Sequence, residues 1–234
     1  MSAVLPGGVY LVLDEDVCAA AGCRPTVVAA TAVAAGVRVV QVRAKSASAR
    51  QFVSLVVDVA EAVRGTGAVL VVDDRVDVAL AARARGAVVD GVHVGQQDLE
   101  ARDARALLGA DALVGVSAAR PQDVIAVARP AADHVGTGPV RSTPTKPDAG
   151  AGIGFDGLAA AVRATTLPVV AIGGLGLDDV AAVRASGAHG IAVVSAICTA
   201  PDPGAAAAAL VAAWCAAPGP FAEMVGAELS GAEL

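Results

Sequence analysis

The chain has 234 residues and is 56% hydrophobic, enough for a sizeable core in one large domain or two small ones. Its formal net charge of -6 argues against sequence-independent nucleic-acid binding, which needs basic residues to neutralise phosphates. Small molecules are therefore the expected partners. Four cysteines without C-x-x-C spacing, and a start that does not resemble a signal peptide, favour a reduced cytoplasm.

Short β-branched runs recur along the chain and predict eight strands. In chain order they are GVYLVLD from Gly8, VRVVQVRAK from Val37, AVLVVDD from Ala68, GVHVG from Gly91, LVGVSA from Leu113, HVGTG from His134, PVVAIGG from Pro168 and GIAVVSAI from Gly190. Strands this uniformly apolar are typical of a parallel sheet that is buried on both faces.

Helical patterns lie between these runs, and several open with an acidic residue or proline and close near glycine. They are ARQFVSLVVDVAEAVR, VDVALAARAR, EARDARALLG, PQDVIAVARP, GFDGLAAAVRAT and LDDVAAVRASG. Eight strand–helix units predict an α/β fold, a single-domain (β/α)8 TIM barrel over residues 1–217, with functional residues at the carboxyl ends of the strands. Residues 218–234 are predicted to form a loosely held C-terminal tail.

The segment 203–222 has no charged residue and is about as long as a membrane span. Its hydrophobicity is mostly alanine, and proline and glycine stand at both ends. We therefore interpret it as a helix that buries Leu210 and Trp214 on one face, and we expect no membrane partner.

Polar residues collect at the predicted carboxyl end of the second strand. Gln41, Arg43 and Lys45 are two residues apart, so a strand aims all three at one face and aims Val42 and Ala44 at the other. Arginine binds a phosphate bidentately and lysine supplies a compact charge, so the triplet indicates an anion site. The alternative is a solvated strand end.

Acidic residues follow the third and fourth strands. Mg²⁺ in phosphate sites is held by one or two carboxylates with substrate oxygens and water, and Asp74 and Asp98 are placed to supply them. Asp77 is interpreted as a charge at a helix N-terminus. We interpret His93 as a packed or hydrogen-bonding strand residue and not as a metal ligand.

Three loops complete the predicted site. The glycine pair in AIGGLG and the segment VVSAI follow strands seven and eight, where barrel enzymes often bind a phosphate through backbone N–H groups. The loop GTGPVRSTPTKPDAGAG follows strand six, and its closure would bring Thr143, Thr145 and Lys146 onto an anionic leaving group. Pyrophosphate is the anion that best fits a metal ion together with the three cations Arg43, Lys45 and Lys146. A merely flexible surface loop is the alternative.

The segments QVRAK, VDDRVDVAL, GVHVGQQDL, VGVSA, ADHVGTGPV, TPTKPDAG, PVVAIGGL and GAHGIAVVSAI resemble, in order, the thiamine-phosphate synthase family. The resemblance implies that 4-amino-5-hydroxymethyl-2-methylpyrimidine diphosphate is joined to thiazole phosphate, giving thiamine monophosphate and pyrophosphate. It also implies Mg²⁺ as cofactor and a dissociative substitution, in which the pyrimidine diphosphate ionises before the thiazole nitrogen attacks.

The same resemblance implies a role for each matching residue. Asp74 and Asp98 would bind the metal. The diphosphate would be held by Arg43, Lys45, Thr143, Thr145 and Lys146. The pyrimidine would be surrounded by Gln41, Asp73 and Ser117. The thiazole phosphate would rest on Gly174, Val194 and Ser195. Catalysis would depend mainly on Arg43, Lys45, Lys146 and Ser117.

Two positions depart from the family pattern. Ala44 replaces a common glutamate, but it is predicted to face away from Arg43 and Lys45. Asp73 replaces the usual asparagine in a chain that contains no asparagine, and an ionised aspartate cannot donate a hydrogen bond. A thiazole tautomerase and a catalytically silent phosphate-binding barrel remain alternatives, and the oligomeric state, a homo-oligomer included, stays open.

Overall fold

The computed structural model describes residues 4–127, 131–143 and 151–219. Eight parallel strands form a closed barrel in sequence order, and the last strand pairs with the first. The strands are β1 Gly8–Asp14, β2 Val39–Arg43, β3 Val69–Asp73, β4 Gly91–Val94, β5 Leu113–Ser117, β6 His134–Thr137, β7 Val169–Ile172 and β8 Gly190–Val193. The predicted (β/α)8 barrel is confirmed.

Helices surround the barrel. They are α1 Glu15–Ala20, α2 Pro25–Ala34, α3 Ala49–Ala62, α4 Val76–Ala84, α5 Ala101–Leu108, α6 Pro121–Ala126, α7 Gly154–Arg163, α8 Val180–Ala185, α9 Ser195–Cys198 and α10 Pro203–Ala216. A 3-10 turn, Leu177–Asp179, leads into α8. In α3 a reciprocal cap between Ser48 and Gln51 satisfies backbone donors at the N-terminus.

Alternation along the strands divides the apolar side chains into two layers. On β2, Val40 and Val42 belong to the large cluster between barrel and helices, whereas Val39 packs with Val71 and Leu113 in a small cluster inside the barrel. Strands buried on both faces therefore need apolar residues at nearly every position, which explains the uninterrupted valine runs.

Some predicted boundaries were wrong. The eighth strand ends at Val193 instead of continuing to Ile197, because the backbone turns at Val194 and a short helix begins at Ser195. The helix predicted from Pro121 ends at Ala126, and Val127 is extended. The helix predicted in segment 203–222 is α10, which buries Leu210 and Trp214. Within the described ranges, no helix is both long and apolar enough to cross a membrane. Residues 220–234 of the predicted tail lie outside the described residues.

Candidate active site

Three side chains from β2 and the residues that follow it converge on Asp73 at the end of β3. Gln41 donates a hydrogen bond from Nε2 to Asp73 Oδ1 over 2.5 Å. Arg43 Nε and Lys45 Nζ lie 3.5 Å and 3.6 Å from Asp73 Oδ2. The strand predicted to reach Lys45 ends at Arg43, but all three side chains still meet on the same side, while Ala44 packs on the opposite side in the outer core.

Asp14, at the end of β1, fixes the guanidinium of Arg43. The parallel register pairs the two residues, and Arg43 Nη1 donates to Asp14 Oδ2. The Asp14 side chain is 1% exposed and also accepts a hydrogen bond from the backbone of Val17, which caps α1. A nearly buried carboxylate thus orients the arginine that faces the barrel mouth, the region at the carboxyl ends of the strands.

The two carboxylates predicted to bind metal lie together at this mouth. Asp74 follows β3 with φ of 56°, a left-handed conformation that is uncommon for a residue with a side chain. Asp98 accepts a hydrogen bond over 3.0 Å from the backbone of Gly95. A Cβ at Gly95 would lie 2.7 Å from Asp98 Oδ2 and 3.8 Å from Asp74 Oδ1. Glycine therefore leaves the space beside both carboxylates open.

The pKa values of Asp73 and Asp98 are raised, whereas the pKa of Asp74 is lowered. Burial, followed by the negative charge of Asp74, raises the pKa of Asp73 to about 7. Burial acts the same way on Asp74, but the hydrogen bond and charge of Lys45 outweigh it and lower the Asp74 pKa. The pKa of Asp98 is raised by burial and then by its hydrogen bond with Asp74. The mouth therefore holds closely spaced carboxylates that compete for protons.

This arrangement fits a divalent cation. The contact network contains four carboxylates, those of Asp14, Asp73, Asp74 and Asp98, against two cations, Arg43 and Lys45. An excess of negative charge would repel a diphosphate unless a metal ion were bound between them. Among the described residues no three His, Cys, Asp or Glu side chains form a metal cage. Two carboxylates, with substrate oxygens and water, match the way proteins hold Mg²⁺.

A cavity of about 120 Å³ opens beside this cluster, and Lys45, Asp73, Asp74, Arg75 and Asp98 contribute its polar lining. Arg75 and Asp77 form an exposed ion pair at the start of α4, which confirms Asp77 as a charge in the first turn of a helix. Lys45 is about half exposed, so its ammonium is available to an anion that enters from solvent.

A chain of hydrogen bonds connects the mouth to the barrel interior. Tyr10 on β1 donates its hydroxyl proton to Gln41 Oε1 over 2.7 Å, and Gln41 in turn donates to Asp73. Burial, with a contribution from Asp73, raises the pKa of Tyr10, so its hydroxyl stays protonated. The amide of Gln41 is held in one orientation as a result.

Ser117 lies at the end of β5, on the side of the mouth opposite β1. Its Oγ is 3.0 Å from Nε2 of His93. This contact confirms His93 as a hydrogen-bonding strand residue. The side chain of Gln96 donates to the backbone carbonyl of Ser117, which ties the loop after β4 to the end of β5.

The loop after β6 is anchored along β7. The backbone N–H groups of Val140 and Arg141 donate to the carbonyls of Ile172 and Gly173 over 2.9 Å and 3.0 Å. Arg141 also pairs with Asp179 at 2.7 Å. The base of the loop is thereby fixed beside the predicted phosphate-binding turn. Thr143 is the last residue of the described range 131–143. Thr145 and Lys146 lie outside the described residues.

Close approach explains the glycine pair after β7. Gly173 and Gly174 have φ of 102° and 64°. A Cβ at Gly173 would lie 2.5 Å from the backbone of Pro139, and one at Gly174 would lie 2.6 Å from the carbonyl oxygen of Ser142. Both positions therefore require glycine for conformation and for space.

The next strand brings Val194 and Ser195 to the same side of the mouth. The register pairs Ile172 with Ala192, so the residues that follow β7 and β8 leave neighbouring strands. Val194 precedes α9, and its carbonyl accepts hydrogen bonds from the N–H groups of Ile197 and Cys198. The structure thus brings together the predicted residues of β2, β3 and β4, and it places Ser117 and the glycine loop around them.

Sequence reasoning did not find Asp14 or Arg141. Asp14 ends a predicted strand, which was the available signal, but its role becomes apparent only from the register with Arg43. Arg141 was visible only as one residue of a long loop, and its partner Asp179 is 38 residues away.

A closed barrel with a charged mouth at the carboxyl ends of its strands defines this protein as a (β/α)8 barrel of the kind that enzymes use. The sequence profile of the thiamine monophosphate synthase family matches residues 9–197. The chain therefore belongs to this family, and it is a transferase of thiamine biosynthesis.

Individual relatives agree with the family assignment. The thiamine-phosphate synthase of Laribacter hongkongensis is 45% identical over 205 residues, covering 88% of this chain and 94% of the relative. That of Corynebacterium efficiens is 47% identical over 178 residues, covering 75% and 82%. The solved thiamine phosphate pyrophosphorylase of Pyrococcus furiosus superposes with a TM-score of 0.77 at 29% identity, covering 88% of this chain and 95% of that structure.

Proposed function

We propose that the chain couples 4-amino-5-hydroxymethyl-2-methylpyrimidine diphosphate with thiazole phosphate, releasing thiamine monophosphate and pyrophosphate. The convergence of Gln41, Arg43 and Lys45 on Asp73, directly beside Asp74 and Asp98, carries this proposal. It supplies an amide, two cations and a carboxylate pair within one mouth, as a pyrimidine that carries a diphosphate requires.

Arg43 and Lys45 would bind the diphosphate and stabilise the charge that develops as it leaves. Asp14 holds Arg43 before any substrate arrives, so its guanidinium needs little reorganisation during the reaction. Lys146, Thr143 and Thr145 would add contacts from the loop after β6. Removing one such preorganised contact is expected to lower the rate by roughly 10² to 10³.

Asp74 and Asp98 would hold one Mg²⁺ ion. When bound, the metal neutralises part of the charge on the diphosphate and so makes it a better leaving group. Lys45 contacts the Asp74 carboxylate and would move toward a phosphate oxygen once both the metal and substrate are present. Asp14 keeps Arg43 in place during this exchange.

Gln41, Asp73 and Ser117 would surround the pyrimidine ring, and Gly174, Val194 and Ser195 would receive the thiazole phosphate. The pyrimidine diphosphate would ionise first, and the thiazole nitrogen would then attack the methylene carbon. This order requires no protein nucleophile.

The four free thiols support the expected cytoplasmic location.

The test is product formation by purified protein given both substrates, with Mg²⁺ or with a chelator in its place. We expect thiamine monophosphate and pyrophosphate in equal amounts, and only with metal. Isomerisation of the thiazole phosphate without product would identify a tautomerase. Binding of both substrates without any turnover would identify a silent barrel. Either result would overturn the proposal.

A further inference from the structure

Below the mouth, two histidines and a serine form a line across three strands. His134 on β6 places Nε2 3.4 Å from Nδ1 of His93 on β4. Nε2 of His93 is 3.0 Å from Oγ of Ser117 at the end of β5. The two imidazole rings are tilted by 45°, with centroids 5.4 Å apart. The line connects the closed interior of the barrel to a residue at the mouth.

Two glycines make room for these rings. A Cβ at Gly115 on β5 would lie 2.3 Å from His134 Nε2 and 2.4 Å from His93 Nδ1. A Cβ at Gly136 on β6 would lie 2.9 Å from His93 Cε1. Any other residue at Gly115 would push the two rings apart. The sequence of these strands therefore accommodates the histidine pair in this geometry.

Burial keeps the His134 ring neutral, and the available hydrogen-bond partners then decide which ring nitrogen carries its proton. Burial, then the neighbouring His93 and His189, hold the pKa of His134 well below its usual value, so the ring is neutral and carries one proton. Its Nδ1 atom is buried without a hydrogen-bond partner in the described part of the chain. A proton on Nδ1 would leave a buried donor unsatisfied, whereas a proton on Nε2 has His93 as its acceptor.

We propose that His134 is a positioning residue whose Nε2–H donates to Nδ1 of His93, so that the Nε2–H of His93 donates to Ser117 Oγ. A neutral His93 that accepts at Nδ1 has its single proton on Nε2, so the direction of the first bond fixes that of the second. Ser117 Oγ then accepts from within the barrel, and its own proton is directed toward the mouth as a donor to substrate. His134 itself contacts no substrate. The identity of that substrate rests on the proposed function.

The first test reads the tautomers directly and does not depend on activity. The chain contains only three histidines, so ¹⁵N-labelled imidazole NMR resolves each ring. Spectra of the wild type and of a His189→Gln variant at pH 8 assign His93 and His134 as the two remaining rings. We expect both to carry the proton on Nε2. A proton on Nδ1 of either ring would overturn the proposal.

The second test separates positioning from packing. His134→Phe fills the space without a donor, whereas the amide nitrogen of His134→Gln takes the place of Nε2. We expect the phenylalanine variant to lose about tenfold or more in kcat/KM for the pyrimidine substrate, and the glutamine variant to recover to within about threefold of wild type. A folded phenylalanine variant with wild-type kcat/KM, or glutamine no better than phenylalanine, would refute the role of His134.

His189→Gln provides the control for loss of a partly buried histidine. Its Nε2 lies 3.0 Å from the carbonyl oxygen of Leu5 at the opposite end of the barrel. This variant should keep wild-type kinetics. If His134→Phe fails to fold, the tautomers and the glutamine variant still decide. A protein that shows the expected tautomers but forms no thiamine monophosphate would refute the proposed function. It would leave the inferred hydrogen bonds from His134 through His93 to Ser117 intact.

Discussion

Replacing Asp14 tests whether the mouth is organised from beneath by a buried ion pair. Asp14→Asn keeps an oxygen that can cap α1 but removes the charge facing Arg43, whose side chain is 20% exposed. Breaking a buried pair by removing one partner costs about 3–5 kcal/mol. Arg43 retains Asp73 at 3.5 Å and some solvent, so a loss of about 3 kcal/mol is expected, at the lower end of that range.

Unfolding in urea, followed by fluorescence of the single tryptophan, Trp214, measures this loss. Asp14→Ala should lose about 1 kcal/mol more, because it also removes the helix cap. Asp77→Asn is the matched control, since its pair with Arg75 is exposed and should contribute about 0–1 kcal/mol. The KM for the pyrimidine diphosphate should rise in Asp14→Asn only. Equal stability of the Asp14→Asn and Asp77→Asn variants would refute the reasoning.

Three further changes probe the metal-binding pair, Asp73 and the loop after β6. Gly95→Ala places a Cβ 2.7 Å from Asp98 Oδ2, so the Mg²⁺ concentration for half-maximal activity should rise about tenfold; an unchanged value would contradict the site. In metal-free protein the raised pKa of Asp73 means that the wild type loses stability as pH rises from about 4 through 7. The stability advantage of Asp73→Asn over wild type in urea should therefore be larger at pH 8.5 than at pH 5, and identical pH profiles would disprove this. Lys146→Ala should leave the melting temperature unchanged and lower turnover at limiting diphosphate, so near-normal turnover there would exclude its role.

Strand positions were predictable because the barrel demands apolar residues on both faces of every strand. That demand also explains the error in β8, where the sequence AVVSAI is equally apolar as strand or as the start of a helix. Helix α2 was not predicted, because its alanine and valine residues leave no polar face to reveal a helical period.

The charged face of β2 could be predicted because period-two spacing is a local property. Asp14 and the line from His134 could not, because each depends on register between strands that are far apart in sequence. His93 and His134 both lie opposite Gly115, and that alignment exists only in the closed barrel.

The most direct test of the account is the Mg²⁺-dependent rate of thiamine monophosphate formation by wild type, Asp98→Asn and Asp103→Asn. Asp103 is an exposed residue in the first turn of α5 and serves as the control. We predict that Asp98→Asn loses roughly 10² to 10³ in rate at wild-type metal concentrations, while the control is unchanged. Product formation by Asp98→Asn within about twofold of wild type, or formation that persists in chelator, would contradict a metal-assisted reaction at this mouth.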